Sequence, residues 1–409
     1  MSSQSYRRAG AVLAVLLAAC ADPTGTGHVT DPDMAAATKA SANGRVPAAI
    51  EWNAVARGLV AKNGSSTFVA FRVYAITSVA QWRALVAAEW ASNKGNYVSR
   101  RAAIAGASAV ALSYLYPADA DTLDALVQQQ VTSTAWLERP GADAATGEAV
   151  GRAVGAQVVE LARTDGYNTP FTGSVPPGAG KWFSSTVPPT APGGYGIGNA
   201  RTYFLTSSDQ FRPPPPPAYG SAEFAAALAE VRQISDTRTS AQDSIARFWG
   251  MGTGTFTPPG YWNQEASTLA LRYHLNEGRA ARLLAILNMV AFDAIIASHD
   301  GKYEYWLIRP SQEDPAITLS LPLPNFPSYP SNHATISAAM TEVLAQSFRA
   351  EGKRLRAAAE EAATSRVYGG IHYTFDGTAG LALGRQVAHW GMAHAKHVLT
   401  AEAPVLARH

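Results

Sequence analysis

The chain has 409 residues, of which 16% are charged and 47% hydrophobic, with a formal net charge of +2 and a single cysteine. No basic stripe marks a nucleic-acid partner, no long run of like charge marks an electrostatic membrane patch, and one cysteine excludes a disulfide scaffold. That length is enough to bury one large core or two modest ones.

The first twenty residues read as a signal peptide. Arg7 and Arg8 precede an apolar run from Ala11 to Leu17, which is too short to span a bilayer and ends in Leu17-Ala18-Ala19-Cys20. This ending resembles a bacterial lipoprotein processing box, and Cys20, the sole cysteine, is the expected lipidation site; ordinary secretion with cleavage at a nearby alanine is the alternative. Ala21 rather than Asp comes next, so the expected location is extracytoplasmic, at the outer membrane or in the periplasm, with the lipid as the only membrane contact. Residues 21–47, rich in Ala, Gly, Thr, Asp and Pro, read as a flexible tether.

Helix dominates the rest of the chain. Apolar residues three and four apart, or nearly all round, predict helices over 67–90, 100–116, 221–234, 279–297 and the segment after His333. Residues 102–115 are the most membrane-like stretch after the leader, but they are short and contain Gly106 and Ser108, so a buried helix is expected there. Between 168 and 220 lie VPPGAG, TVPPTAPGGYGIG and FRPPPPPAYG, which cannot be helix interior, and Pro213–Pro217 read as a rigid polyproline II connector. The expected organisation is a leader (1–20), a tether (21–47), an N-terminal helical region (48–220) and a catalytic helical bundle (221–409).

Three strings near the C-terminus carry the chemistry: KYEYWLIRP (302–310), PSNH (330–333) and SRVYGGIHYTFD (365–376). They supply three cations in Lys302, Arg309 and Arg366, a hydroxyl in Ser331, and two imidazoles in His333 and His372. A multiply charged oxyanion needs that inventory: guanidiniums fork onto its oxygens, a lysine adds a point charge, and an imidazole can bond its central atom. Ser331 and Asn332 are N-cap types, and Ile336, Met340, Val343, Leu344 and Phe348 recur behind them at helical spacing, so His333 sits in the first turn of a helix whose positive end faces the anion. Each string alone has a plainer reading, as a helix start, as solvated charges beside Tyr303, Tyr305 and Trp306, or as a glycine turn. His389, His394 and His397 invite a metal reading, which the lack of cysteine partners and the spacing argue against.

Together the strings resemble the superfamily that unites vanadium-dependent haloperoxidases with type 2 phosphatidic acid phosphatases. Its pattern is Lys, six residues, Arg-Pro; Pro-Ser-Gly-His; and Ser-Arg, five residues, His, three residues, Asp. Looser similarity extends upstream through TRTSAQDSIARFW and FDAIIASHDGKYEYW. The resemblance implies an all-α helical bundle of the vanadium haloperoxidase/acid phosphatase type. It also implies that Lys302, Arg309, Arg366, Ser331 and the Asn332 N–H hold the oxyanion. His372 would then be the vanadate ligand or the phosphorylated nucleophile, Asp376 would orient it, and His333 would be the general acid and base. The departure is Asn332 where the family has Gly. Asn tolerates the left-handed geometry that Gly allows, while its side chain is expected to narrow or polarise the pocket mouth. No partner for His333 stands out beyond weak candidates such as Asp293 and Glu265.

Vanadate and phosphate share charge and shape, so the reaction stays open between two enzymes. The haloperoxidase reading takes vanadate as cofactor with halide and peroxide as substrates. The acid-phosphatase reading needs no cofactor and takes a phosphate monoester through a phosphohistidine. Phe326, five residues before Ser331, matches an aromatic position of chloroperoxidase-like members, whereas His299, three residues before Lys302, stands where such a member has Trp. The lack of membrane spans expected of the phosphatase branch leans the reading to the peroxidase side. A non-catalytic oxyanion-binding lipoprotein is the third reading, which the acid–base pair of histidines argues against.

Overall fold

The computed structural model describes residues 46–92 and 96–401. The leader, Cys20 and nearly all of the tether lie outside the described residues. Twelve helices of eight or more residues are described: α1 (Ala48–Lys62), α2 (Thr67–Ala91), α3 (Arg100–Leu115), α4 (Ala120–Val131), α5 (Ala144–Arg163), α6 (Ala222–Thr237), α7 (Ser240–Phe248), α8 (Thr257–Arg272), α9 (Glu277–Tyr305), α10 (Asn332–Ser347), α11 (Gly352–Tyr368) and α12 (Thr374–Ala401). Among the described residues there is no strand, only two isolated bridges, so the fold is all-helical as expected.

Local chemistry starts several of these helices. Ser66, Ser99 and Ser221 accept the N–H of the residue three on at the heads of α2, α3 and α6. Thr239 and Gln242 form a capping box at α7, which fixes the element that meets the site through Trp249. The apolar stretch 102–115 lies in α3, where residues 102–109, 111 and 112 are buried. Helix α9 is long and apolar enough to cross a membrane, but its apolar window is 94% buried inside the protein, the signature of a core helix.

Two compact units cut the chain elsewhere than at residue 220. The first holds the described residues up to Ala162 together with Gly252–Ala285; the second holds Arg163–Met251 and Ile286–Ala401. In the first, α2 packs on α3 and α8, and α1 packs on α2, α3 and α8. In the second, α10 packs on both α11 and α12, and α7 lies against α11. The α10–α12 approach is close: a Cβ on Gly384 would lie 2.1 Å from the Thr335 carbonyl oxygen, so only glycine lets the backbones meet there. That contact brings the PSNH and SRVYGGIHYTFD strings together, and the Ser331 N–H donates to the Asp376 carbonyl at 3.0 Å.

The proline run is no free connector. The Tyr305 hydroxyl donates to the Pro213 carbonyl and the Tyr329 hydroxyl to the Pro214 carbonyl, each at 2.7 Å, so the run is a strap fastened to the second unit.

Candidate active site

All eight residues singled out from the three strings come together in the second unit. Lys302 ends α9, Arg309 lies in the loop beyond it, Ser331 to His333 open α10, Arg366 ends α11, and His372 and Asp376 flank the start of α12. Lys302, Arg309, Ser331 and Asp376 are wholly buried, Arg366 and His372 nearly so, and His333 is half-buried.

The imidazole of His372 is fixed at both nitrogens. Its Nδ1 lies 2.8 Å from Asp376 Oδ2 and its Nε2 lies 3.0 Å from Arg309 Nη1. An arginine can only donate, so Nε2 is the lone-pair nitrogen and Nδ1 carries the proton, which goes to the carboxylate. Burial, then the charges of Arg309 and Lys302, hold this ring well below the usual imidazole value, so it stays neutral. Asp376 Oδ2 also accepts the Ser328 hydroxyl at 2.5 Å and the Tyr373 N–H at 3.1 Å. Burial raises Asp376 to about 6 against the pull of Ser328 and Lys302.

Arg309 spends Nε on the Phe326 carbonyl and Nη1 on Ile371 and His372, while Nη2 is buried with no protein partner. Arg366 donates from Nε to Ser365 Oγ and from Nη2 to the Ala246 carbonyl. Burial pushes Arg366 down to about 9 and Arg309 to about 10. Lys302 differs from expectation: its three protons go to the carbonyls of Pro327, Ser328 and Pro330 at 2.8, 2.8 and 2.6 Å. It acts on the site as a fixed charge caged in backbone dipoles, and a direct bond to a ligand requires releasing one carbonyl.

Ser331 sits at the N-cap of α10, yet its hydroxyl makes no capping bond and is buried without a partner. A mere helix start would use that oxygen for the cap. The left-handed backbone expected at Asn332 is absent, because this residue is already the first of α10 and not among the positive-φ positions. Its side-chain oxygen accepts the buried Ser298 hydroxyl at 2.7 Å, which anchors the side chain to α9. The Asn332 N–H lies in the first turn of α10, among the amides that have no acceptor within the helix.

His333 donates from Nε2 to the Trp249 carbonyl at 3.0 Å, just past the end of α7, so no acid orients it and Nδ1 is left as the acceptor. Burial and the Arg366 charge hold it well below the usual value. Asp293 has another task, accepting the N–H groups of Tyr203, Phe204 and Leu205. Around the site, the Phe326 ring centroid lies 5.2 Å from Lys302 Nζ and 5.0 Å from the Arg309 guanidinium carbon, within cation–π reach. His299 is wholly buried, with its ring 6.0 Å from that of Phe326, and burial lowers it to about 3. His389 and His394 are engaged elsewhere, with Glu342 and the Trp390 carbonyl, and no metal-binding cluster occurs among the described residues.

Sequence reasoning missed Ser328 and the use of the Trp249 carbonyl. A small hydroxyl residue between Pro327 and Pro330, inside the loop that feeds PSNH, was the available signal for the first; a backbone acceptor leaves none.

The charge count defines the class: three buried cations face one carboxylate and two neutral imidazoles, and Ser331 Oγ and Arg309 Nη2 are orphaned. Buried positive charge in excess and orphaned donors are costly unless something satisfies them, and an oxyanion has the charge and acceptors to do so. Residues 350–401 match the model of the VCPO second helical-bundle domain. The vanadium chloroperoxidase of Curvularia inaequalis is 27% identical over an alignment of 189 residues, a match that covers 36% of this chain and only 31% of that protein. The first bacterial vanadium-dependent iodoperoxidase structure superposes with a TM-score of 0.72 at 24% identity, over 85% of this chain and 95% of that one. An apo-type bacterial vanadium-dependent chloroperoxidase gives 0.65 at 13% identity, over 80% and 94%. The chain thus shares the all-helical fold of these proteins and is similar in sequence to the vanadium haloperoxidases that its three strings resemble.

Proposed function

We propose that the protein is a haloperoxidase-type enzyme that holds vanadate in this pocket and oxidises a halide with hydrogen peroxide. The excess of buried positive charge around a lone-pair nitrogen, His372 Nε2, carries the reading. The residues fit the group: Arg309 Nη2, Ser331 Oγ, the Asn332 N–H and Arg366 would hold its oxygens, Lys302 would add its charge, and His372 Nε2 would face the central atom. When bound, vanadate would supply the Lewis acidity that activates peroxide.

The remaining chemistry belongs to the chain. Asp376 holds the His372 proton on Nδ1 and so leaves the Nε2 lone pair as an acceptor, engaged by Arg309 Nη1 until that hydrogen bond is released to the oxyanion. His333, neutral and with Nδ1 free to accept, takes a proton from the incoming acid and returns it to the departing oxygen. Its support from a carbonyl rather than a carboxylate lets the ring receive a proton without an anion beside it to trap the charge. Phe326 and His299 would form the wall nearest the halide.

One assay separates this reading from hydrolysis of phosphate monoesters. Purified protein, with and without orthovanadate, is tested for halide-dependent peroxide consumption and for p-nitrophenyl phosphate hydrolysis. Vanadate-dependent peroxide use is expected; hydrolysis inhibited by vanadate with no peroxide use would overturn the proposal in favour of the phosphatase. Anchoring through Cys20 rests on the leader alone, and Cys20→Ser should release the protein from the membrane fraction.

A further inference from the structure

We infer that Ser328 is a positioning residue that locks the His372–Asp376 pair, so that His372 presents its lone pair rather than its proton to the oxyanion. The inference rests on the oxyanion reading above and extends it to a residue outside the three strings. Ser328 is wholly buried and held at every polar group it has. Its N–H donates to the Leu307 carbonyl at 2.9 Å, its carbonyl accepts Lys302 Nζ at 2.8 Å, and its hydroxyl donates to Asp376 Oδ2 at 2.5 Å. The backbone therefore has no freedom to carry the hydroxyl elsewhere. The loop that cages the lysine also clamps the carboxylate.

The clamp matters because of how Asp376 is loaded. All its donors converge on Oδ2, namely Ser328, His372 Nδ1 and the Tyr373 N–H, while Oδ1 is buried without a partner. A carboxylate so loaded gains by rotating Oδ1 towards a donor. Any such rotation swings the acceptor away from Nδ1 and leaves Arg309 Nη1, a donor that an arriving anion would draw off, as the remaining group that holds the lone pair on Nε2, the nitrogen that must face the anion. Ser328 opposes that rotation with the shortest of the bonds to the oxygen that His372 uses. Its Oγ is also only 3.4 Å from Nδ1, so the hydroxyl fills the space into which the ring would tilt. The single hydroxyl proton is committed to the carboxylate, so Oγ faces Nδ1–H as an acceptor and both contacts favour the same tautomer.

The test uses the full chain, wild type against Ser328→Ala, with two readouts at one fixed pH. Nitrogen-15 NMR of labelled histidine reads the His372 tautomer without ligand, with Asp376→Asn as the reference for a released ring. Calorimetry then measures the affinity for orthovanadate and for inorganic phosphate. Ser328→Ala should shift the His372 signals towards those of Asp376→Asn and weaken both anions by about 10- to 100-fold, the usual range for losing a partner that orients a ligand. Ser331→Ala, by contrast, should weaken the anions while leaving the His372 signals unchanged. If Ser328→Ala keeps wild-type signals and wild-type affinity, the positioning role is wrong and the oxyanion reading stands. If the wild type binds neither anion, the oxyanion reading falls, while the ligand-free spectra still decide whether Ser328 holds the tautomer.

Discussion

Each of the two units buries a cluster of charge, and they are built on opposite plans. In the first, Arg101 lies between Glu51 and Glu277, donates also to the Val46 carbonyl, and has its guanidinium carbon 4.4 Å from the centroid of Trp136. The carboxylates are tied in turn by the Ala48 N–H and by Trp136 Nε1. In the second, Lys302, Arg309 and Arg366 face Asp376 alone, and polar atoms of Ser331 and Arg309 are left without partners. A cluster whose anions meet its cation serves the fold. One that leaves its cations in excess has charge to spare for an anion that the chain does not supply.

The difference between the clusters is most exposed at His372. Its replacement by Ala should cost on the order of 10⁴-fold or more in turnover, because no other group in the strings offers a lone-pair nitrogen there. His333→Ala should still capture orthovanadate and lose about 10²- to 10⁴-fold in rate. Vanadium content after gel filtration, run beside steady-state rates, distinguishes them. Near-normal turnover in His372→Ala would sink the assigned roles.

Arg101→Met tests the other side. Removing the single cation leaves Glu51 and Glu277 facing one another, with an expected loss of about 3–5 kcal/mol in urea unfolding. Arg366→Ala should do the reverse: it sheds an uncompensated buried charge, leaves helical circular dichroism intact, and abolishes the stabilisation by orthovanadate, about 2.7 kcal/mol at a hundredfold excess over Kd. A full ligand-induced shift of Tm in Arg366→Ala would remove that arginine from the site.

The smallest effect is in pH. Both site imidazoles are held below their ordinary value, so the unfolded chain takes up protons below about pH 6.5 that the native state refuses, and stability falls as pH falls. Asp376, raised to about 6, acts in the opposite sense and offsets one of the two rings. These three groups together should therefore contribute a loss of about 1.4 kcal/mol per pH unit below pH 6. In His333→Gln, where one ring faces one carboxyl, the slope should differ from wild type by about that amount; a slope unchanged from wild type would mean that His333 is charged.

The chemistry of the site was more legible in sequence than the architecture around it. The site residues of the three strings are charged or polar types that burial makes costly, so three exact spacings identify a site. The helices α2, α3, α6 and α9 announce themselves through apolar periodicity, but α5 does not. Its Gly147, Gly151 and Gly155 depress helix propensity because they serve packing: a Cβ on Gly151 would lie 2.0 Å from the Ala103 carbonyl of α3. Helix α8 hides likewise behind Pro258 and Pro259, which suit a first turn but read as a loop. The interleaving of the units, with Gly252–Ala285 belonging to the first, depends on contacts between distant segments that no local pattern records. The same holds for the carbonyl cage of Lys302, since backbone acceptors carry no residue-type signal.

The proline strap sets how this site can be watched. Five consecutive prolines have no amide hydrogen, so hydrogen–deuterium exchange is blind from Pro213 to Pro217 whether or not the strap is seated. Its seating is written instead in Tyr305 and Tyr329, whose hydroxyls fasten to its first two carbonyls. Tyr329 is bonded in sequence to Ser328 and Pro330, both of which hold the Lys302 ammonium. The ultraviolet absorbance of a tyrosine next to the cage thus becomes an optical gauge of the strap, sensitive where exchange is silent.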